Sequence, residues 1–364
     1  MKRFFIFCGF VLWVLIARPV LAEPGLIEIL NSVDKVSFCN DIVPLEKNDL
    51  RERLEKELLL ICYNKPQVIL WLKRSGRYFP DIEKILKKNN LPQDLKYVAV
   101  IESALRPHIR SPQNAVGFWQ FINSTGILHG LKIDKSLDER CDIKKSTEAA
   151  SFYFKELYKK FKNWELVLAA YNIGEMRIER ELEAQSADNY YDLWLPDETM
   201  RYVFRVIAAK IVFENFDKLG FEMNESDYYR PFDTKELKLK LDYTVPASVT
   251  AHALGLSLYE FKLMNTEIVG DYLVKGNIDI NIPQNTDTGK FRSEFEKQKD
   301  KWIKEHTVFY YTVKKGDSLI KISEEFEVSI KHILEWNKLD YNDYIYPGQK
   351  LIIKTQMEEF KKPQ

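Results

Sequence analysis

An excess of charge of either sign is missing from this sequence: 54 basic residues face 54 acidic ones over 364 positions. A chain with no net charge has no field to draw in DNA or an anionic membrane, so neither is expected as a partner. Histidine is scarce, at five residues, no Cys/His spacing suits zinc, and there is no glycine-rich phosphate loop. No metal and no cofactor are therefore expected. Cysteine is scarce as well. Beyond Cys8 there are Cys39, Cys62 and Cys141, an odd number for an exported chain, and a Cys39–Cys62 bridge would leave one thiol over. The one long apolar run, Phe4 to Ala17, follows Lys2-Arg3 and precedes Val20-Leu21-Ala22. That pattern reads as a secretory signal peptide over 1–22, cleaved after Ala22, and the run is short for a membrane span. Lipidation at Cys8 is not expected, because bulky Phe7 precedes it and most of the apolar run follows it.

What is present is a globular composition, 45% hydrophobic and 30% charged, with room for two or three domains. Aromatics make up 13%, with 19 tyrosines. Flat amphipathic rings suit stacking on sugars, although most such rings serve a core. The stretch Leu91 to Leu105 reads as one helix, begun near Pro92 and Asp94 and ended by Pro107. Leu95, Val98, Ala99 and Glu102 share one face, so a carboxyl group occupies a position where an apolar residue is expected. A buried carboxyl finds a partner or keeps its proton, and a proton held near neutral pH is what a general acid needs. The plainer alternative is a glutamate at the rim of the stripe.

The neighbouring segments bear on that choice. Glu46 to Asn90 reads as three short helices, with Pro66 and Pro80 each opening one. In Ser111 to Gly126 a polar Gln120 sits among Phe118, Trp119 and Phe121, and Gly117 permits a close backbone approach. Ser146 is a candidate N-cap for a helix reaching about Phe161. Val167 to Ala170 is apolar all round, which marks a central buried helix, and it ends in Tyr171 and Asn172 before Gly174, a candidate left-handed C-cap. Pro196 and Asp197 open a further helix that carries Tyr202. Taken singly, each has an ordinary structural reading: a loop, a cap, a buried tyrosine.

In this order, Glu102-Ser103, Gly117-Phe-Trp-Gln120, Ala170-Tyr171-Asn172-x-Gly174 and Glu198-Thr199-x-x-Tyr202-Val203 resemble the lytic murein transglycosylases. Ile101-Glu102-Ser103-Ala104 with Leu195-Pro196-x-Glu198-Thr199 looks most like the membrane-bound lytic transglycosylase D family. The resemblance implies a lysozyme-like α-helical domain, over 65–230, that cuts the MurNAc–GlcNAc bond of peptidoglycan. It implies Glu102 as catalytic residue, with Ser103, Gly117, Gln120, Tyr171, Asn172 and Tyr202 binding substrate, Ser103 more as support for the turn after the helix. Most glycosidases pair two carboxylates about 5–9.5 Å apart. Asp94, eight positions from Glu102, would lie about 12 Å along a helix, which is too far. A lone carboxyl suits an intramolecular reaction that closes a 1,6-anhydro ring and consumes no water.

The C-terminal half carries a repeat. Phe326 to Asn337 aligns without a gap on Leu254 to Asn265, and each copy is followed by a strand-like exit. The second copy follows Tyr310-Tyr311-Thr312-Val313 and the turn Lys315-Gly316-Asp317-Ser318, a βααβ plan that looks like a LysM domain over 308–355. That resemblance implies a glycan groove formed by Gly316, Asp317, Ser318, Leu319 and Ile320 with Asn342, Asp343, Tyr344 and Ile345. The first copy, 240–285, is read as a degenerate LysM-like unit, 286–307 as a charged linker, and 23–64 as an N-terminal helical region. The expected whole is a mainly α, periplasmic or wall-associated monomer whose partner is the peptidoglycan strand. A hydrolase on the same scaffold and a non-catalytic wall-binding protein are the competing readings.

Overall fold

The computed structural model describes residues 36–354, apart from 307, 327, 341 and 342. The signal-peptide reading, Cys8 and Asn342 lie outside the described residues. Among those described, Cys39, Cys62 and Cys141 are all free and buried. Burial pushes the Cys39 thiol up and the Cys141 thiol up to about 12, so both stay protonated and inert.

A two-residue hairpin, β1 (Ser37–Phe38) with β2 (Asp41–Ile42), leads into α1 (Asn48–Tyr63) and α2 (Lys65–Lys88). Three helices were expected here and two are found, because Pro80 lies inside α2 while Pro66 sits in its first turn. An internal proline forfeits a backbone hydrogen bond and costs about 3 kcal/mol. Both halves of α2 are nevertheless anchored, by Val68, Trp71 and Leu72 before Pro80 and by Ile82, Ile85 and Leu86 after it. Packing on both sides outweighs the local break.

The central helix α3 (Lys96–Ser103) is shorter than expected. A 3-10 turn, Gln93–Leu95, replaces its first turn, and Ala104 and Leu105 take left-handed backbone at φ +52° and +56°. Its inward face is as anticipated: Leu95, Val98 and Ala99 are fully buried. Next come α4 (Asn123–Leu128), α5 (Ile143–Phe161), α6 (Trp164–Ile173), α7 (Glu175–Ala184) and α8 (Asp197–Glu214). The cap of α5 is Asp142, which accepts from the Lys144 and Lys145 amides at 2.7 and 2.9 Å; Ser146 lies a turn inside. Val167 to Ala170 of α6 are fully buried, and one continuous core runs from Val36 to Phe221.

Two smaller cores follow. In the first, β3 (Thr234–Leu241) pairs antiparallel with β6 (Gly276–Pro283), enclosing β4 (Val245–Pro246), α9 (Ala247–Ala253), α10 (Leu258–Met264) and β5 (Tyr272–Leu273). The charged segment read as a linker is the helix α11 (Thr288–His306), and it buries Phe291 and Phe295 in this same core. In the second, β7 (Val308–Thr312) pairs with β8 (Lys350–Lys354) around α12 (Leu319–Glu325) and α13 (Ile330–Asn337). Both units are βααβ, and their aligned asparagines do the same work. Asn265 Nδ2 donates to the Phe261 and Asn281 carbonyls and its Oδ1 accepts from Asn281 N. Asn337 does likewise with Ile333 and Ile352.

The first βααβ unit is docked on the helical domain through two backbone hydrogen bonds and one from a side chain. Asp138 N donates to the Glu267 carbonyl at 2.8 Å, Gly270 N to Ser136 at 3.0 Å, and the Thr266 hydroxyl to the Cys141 carbonyl at 2.6 Å. Gly270 is required there, since a Cβ would stand 2.7 Å from the Ser136 Cα. Beside this seam Lys145 pairs with Glu139 at 2.7 Å, and burial together with Asp142 pushes the Glu267 carboxyl up.

Candidate active site

Glu102 stands on the last turn of α3, at the wall of a cleft of about 950 Å³. The apolar stripe below it packs into the core, which forces its side chain to the boundary between core and cleft. The Tyr202 hydroxyl, from the second turn of α8, donates to Glu102 Oε1 at 2.6 Å. Tyr202 itself is buried, 2% exposed, so its ring fixes the direction of that bond. Burial pushes the Glu102 carboxyl up to about 7, against the pull of the Tyr202 hydroxyl and of Arg205, with Glu198 adding to the rise. The loss of hydration outweighs both opposing pulls. The group therefore exchanges its proton near neutral pH, as an acid that later becomes a base requires.

The other walls come from α6, α7 and the loop before α4. Tyr171 lines the cleft and donates to the Trp119 carbonyl at 2.6 Å. Asn172 Oδ1 accepts from the Thr199 hydroxyl at 2.8 Å, which leaves its amide hydrogens for the cleft. Gln120 is both lining and scaffold: its Nε2 donates to the Ile109 and Gly117 carbonyls at 3.1 and 2.9 Å, and its backbone is left-handed at φ +51°. Gly117 does not line the cleft. It lies against Arg140, whose carbonyl oxygen would be 2.0 Å from a Cβ at this position, and its φ is +89°. Arg140, 4% exposed, pairs with Asp138 through two nitrogens at 2.9 and 2.7 Å and donates to the Phe121 carbonyl at 3.0 Å. Ser103 is buried with its hydroxyl on the Ala99 carbonyl at 2.9 Å. Ser103 and Gly117 thus shape the site from behind.

Sequence reasoning passed over several side chains in the cleft: Ser111, Gln113, Tyr153, Glu175, Glu198 and Thr199. Glu198 and Thr199 stand in the motif Glu198-Thr199-x-x-Tyr202-Val203, which is the signal that could have found them. Glu198 is held by Arg205, and Glu175 accepts from the Tyr153 hydroxyl at 3.2 Å. Glu148 and Glu165 are elsewhere, bonded to Lys88 and to Tyr191. Gly174 links α6 to α7 with φ +93° and ψ 141°, outside the left-handed helical region expected of it. Among the described residues there is no cluster of His, Cys, Asp and Glu that could hold a metal.

In the C-terminal unit, Ser318 caps α12 and Asp317 accepts from the Lys314 amide and the Tyr311 hydroxyl. Gly316 is left-handed at φ +94°, and Asp343 accepts from the Asp340 amide. Leu319 and Ile345 pack against the small core, while Ile320 and Tyr344 are exposed.

A helical domain with a tyrosine-bonded glutamate in a polar cleft, followed by small βααβ units, has counterparts among known families. Residues 80–193 match the transglycosylase SLT domain and residues 311–354 the LysM domain. Over 321 residues the chain is 30% identical to membrane-bound lytic murein transglycosylase D of Escherichia coli strain K12, a match covering 85% of this chain and 69% of that protein. The chain belongs to that family of lytic transglycosylases. A 45-residue stretch is 49% identical to an autolysin of Enterococcus faecalis, covering 12% of this chain and 6% of that one. The 70-kDa soluble lytic transglycosylase of Escherichia coli aligns in structure with 21% identity and a TM-score of 0.31, over 43% of this chain and 27% of that chain.

Proposed function

We propose that Glu102 carries both proton transfers of a lytic transglycosylase that cuts the MurNAc–GlcNAc bond of peptidoglycan. As an acid it gives its proton to the glycosidic oxygen, and the GlcNAc side leaves as an alcohol. As a carboxylate it takes the proton of the MurNAc C6 hydroxyl, whose oxygen bonds to C1 and closes the 1,6-anhydro ring. Water is neither consumed nor released. The observation that supports this most is the half-buried, Tyr202-bonded carboxyl whose pKa is pushed up to about 7, which suits it to serve in either state. Tyr202 is proposed to orient Glu102, and the free amide hydrogens of Asn172 to hold the substrate's N-acetyl oxygen. Tyr171 and Gln120 line the site, with Ser103 and Gly117 as its support.

The loops 316–320 and 342–345 of the LysM unit are proposed to bind the glycan, with exposed Ile320 and Tyr344 as its apolar contacts. Residues 65–230 are proposed as the catalytic domain, acting as a monomer on the wall after export. No helix among the described residues is long and apolar enough to cross a membrane. Mass spectrometry of muropeptides after digestion tests the reaction. Anhydro ends, lighter by one water than reducing ends, are expected; reducing ends alone would establish the hydrolase instead.

A further inference from the structure

A second hollow lies behind the active-site wall. α1, α2, α3 and α8 line an open pocket of about 240 Å³, with Glu57, Gln67, Trp71, Ile101, Arg201 and Arg205 among its residues. The Glu198–Arg205 pair stands between the two spaces, since Glu198 lines the cleft and Arg205 the cavity. Three side chains of the cavity wall end in buried N–H groups with no hydrogen-bond partner: Gln67 Nε2, Trp71 Nε1 and Arg205 Nε. Trp71 is 7% exposed, so its indole cannot turn to bulk water. An unmade bond at a buried donor costs free energy, and three such donors around one cavity call for an acceptor from outside the fold. The one carboxylate on the wall is in use, as Glu57 takes Arg201 Nε at 2.6 Å.

The chemistry of the missing acceptor follows from the charges. Glu57 neutralises Arg201 and Glu198 neutralises Arg205, so the site offers donors without net positive charge. That combination suits a neutral acceptor, with Leu60, Ile61 and Ile101 covering apolar atoms beside it. We propose that this cavity is a second substrate-binding site, which takes an amide carbonyl of the peptidoglycan strand while the cleft holds the scissile bond. The proposal rests on the reaction proposed above. The carbonyl has two sources, the acetamido groups of the sugars and the stem peptide. Glu57, Gln67 and Trp71 precede the residues matched to the SLT domain, so that match does not assign them.

Trp71 provides a direct reporter, because an indole N–H resonance moves downfield when it gains an acceptor. In Glu102→Gln protein, which holds strands uncut, the Trp71 indole signal is identified by its loss in Glu102→Gln/Trp71→Phe. Peptide-bearing muropeptide oligomers and peptide-free GlcNAc–MurNAc oligomers are then titrated separately. A downfield shift with the first alone assigns the stem peptide, and a shift with both assigns the acetamido group. In the otherwise native enzyme, Trp71→Phe keeps an aromatic side chain but removes the indole N–H donor, so KM should rise about tenfold with kcat unchanged. An indole signal that neither ligand moves, with KM unchanged in Trp71→Phe and Gln67→Leu, means that water alone fills the cavity and overturns the proposal. Loss of cleavage in Glu102→Gln would still stand in that case, so the two readings fail separately.

Discussion

Glu102 and Tyr202 act as a unit, and substitutions at either make distinguishable predictions. Glu102→Gln is nearly isosteric but has no proton to give, so peptidoglycan cleavage should fall by at least about 10²–10⁴-fold. Turnover near the parent level would remove Glu102 from the mechanism. The same variant has an opposite effect on stability. Burial raises the Glu102 pKa, so the folded chain binds this proton more tightly than the unfolded one does. Stability is therefore lost as pH climbs from the ordinary glutamate range through about 7, and the full cost is present above that. Glu102→Gln should melt higher than the parent at about pH 8, with the gap closing at about pH 4. Tyr202→Phe removes a bond that favours the charged form. The basic limb of the pH–rate profile should move upward, and kcat should drop roughly tenfold, as for one bond of about 1.5 kcal/mol to a charged group. An unshifted limb would show that the tyrosine does not touch the titrating group during turnover.

Elements hold those residues by means that are equally open to test. The loop between α3 and α4 depends on Gly117, where a methyl group would strike the Arg140 carbonyl and the backbone is left-handed. Gly117→Ala should cost more than about 2 kcal/mol in chemical denaturation and lower cleavage by displacing Gln120 and Phe121. A neutral result would mean that Arg140 can retreat, against its two bonds to Asp138. In the LysM unit, Asn337→Ala loses two hydrogen bonds between α13 and β8 and one within α13, about 3 kcal/mol in a unit with a small core. It should weaken sacculus binding and leave cleavage of short soluble glycans alone. Retained binding would show that the unit tolerates the break.

The whole molecule divides its labour along the seams between its cores. A chain ending at His306 keeps the helical domain, the first βααβ unit and α11, and loses only the last core. It should cleave soluble glycans at the parent rate while binding sacculi less, because a tether raises local substrate concentration without altering the chemical step. Loss of soluble activity would show that the last unit contributes to catalysis. A chain cut before Lys240 retains every cleft residue, yet it leaves Asp138, Ser136 and Cys141 without their hydrogen-bond partners from 266–270. Asp138 holds Arg140, which holds the cleft loop, so this shorter chain should cleave soluble glycans more slowly and melt lower than the one ending at His306. Equal rates and melting points would mean that the seam is passive.

The chain itself determined the stripe that brings Glu102 to the edge of the core, the buried run Val167 to Ala170, and the βααβ repeat down to its paired asparagines. Each is written in local spacing, which side-chain periodicity and cap chemistry decide within a few turns. Tertiary structure decided the rest. Pro80 remains in a helix because packing on both sides outweighs one broken turn, and the charged segment 288–306 is a docked helix because Phe291 and Phe295 found a core upstream. Gly117 serves Arg140 rather than the cleft, Glu198 reaches the cleft from a remote helix, and the pKa of Glu102 rises with burial. These depend on groups distant in sequence, and burial, close approach and desolvation have no signature in local spacing.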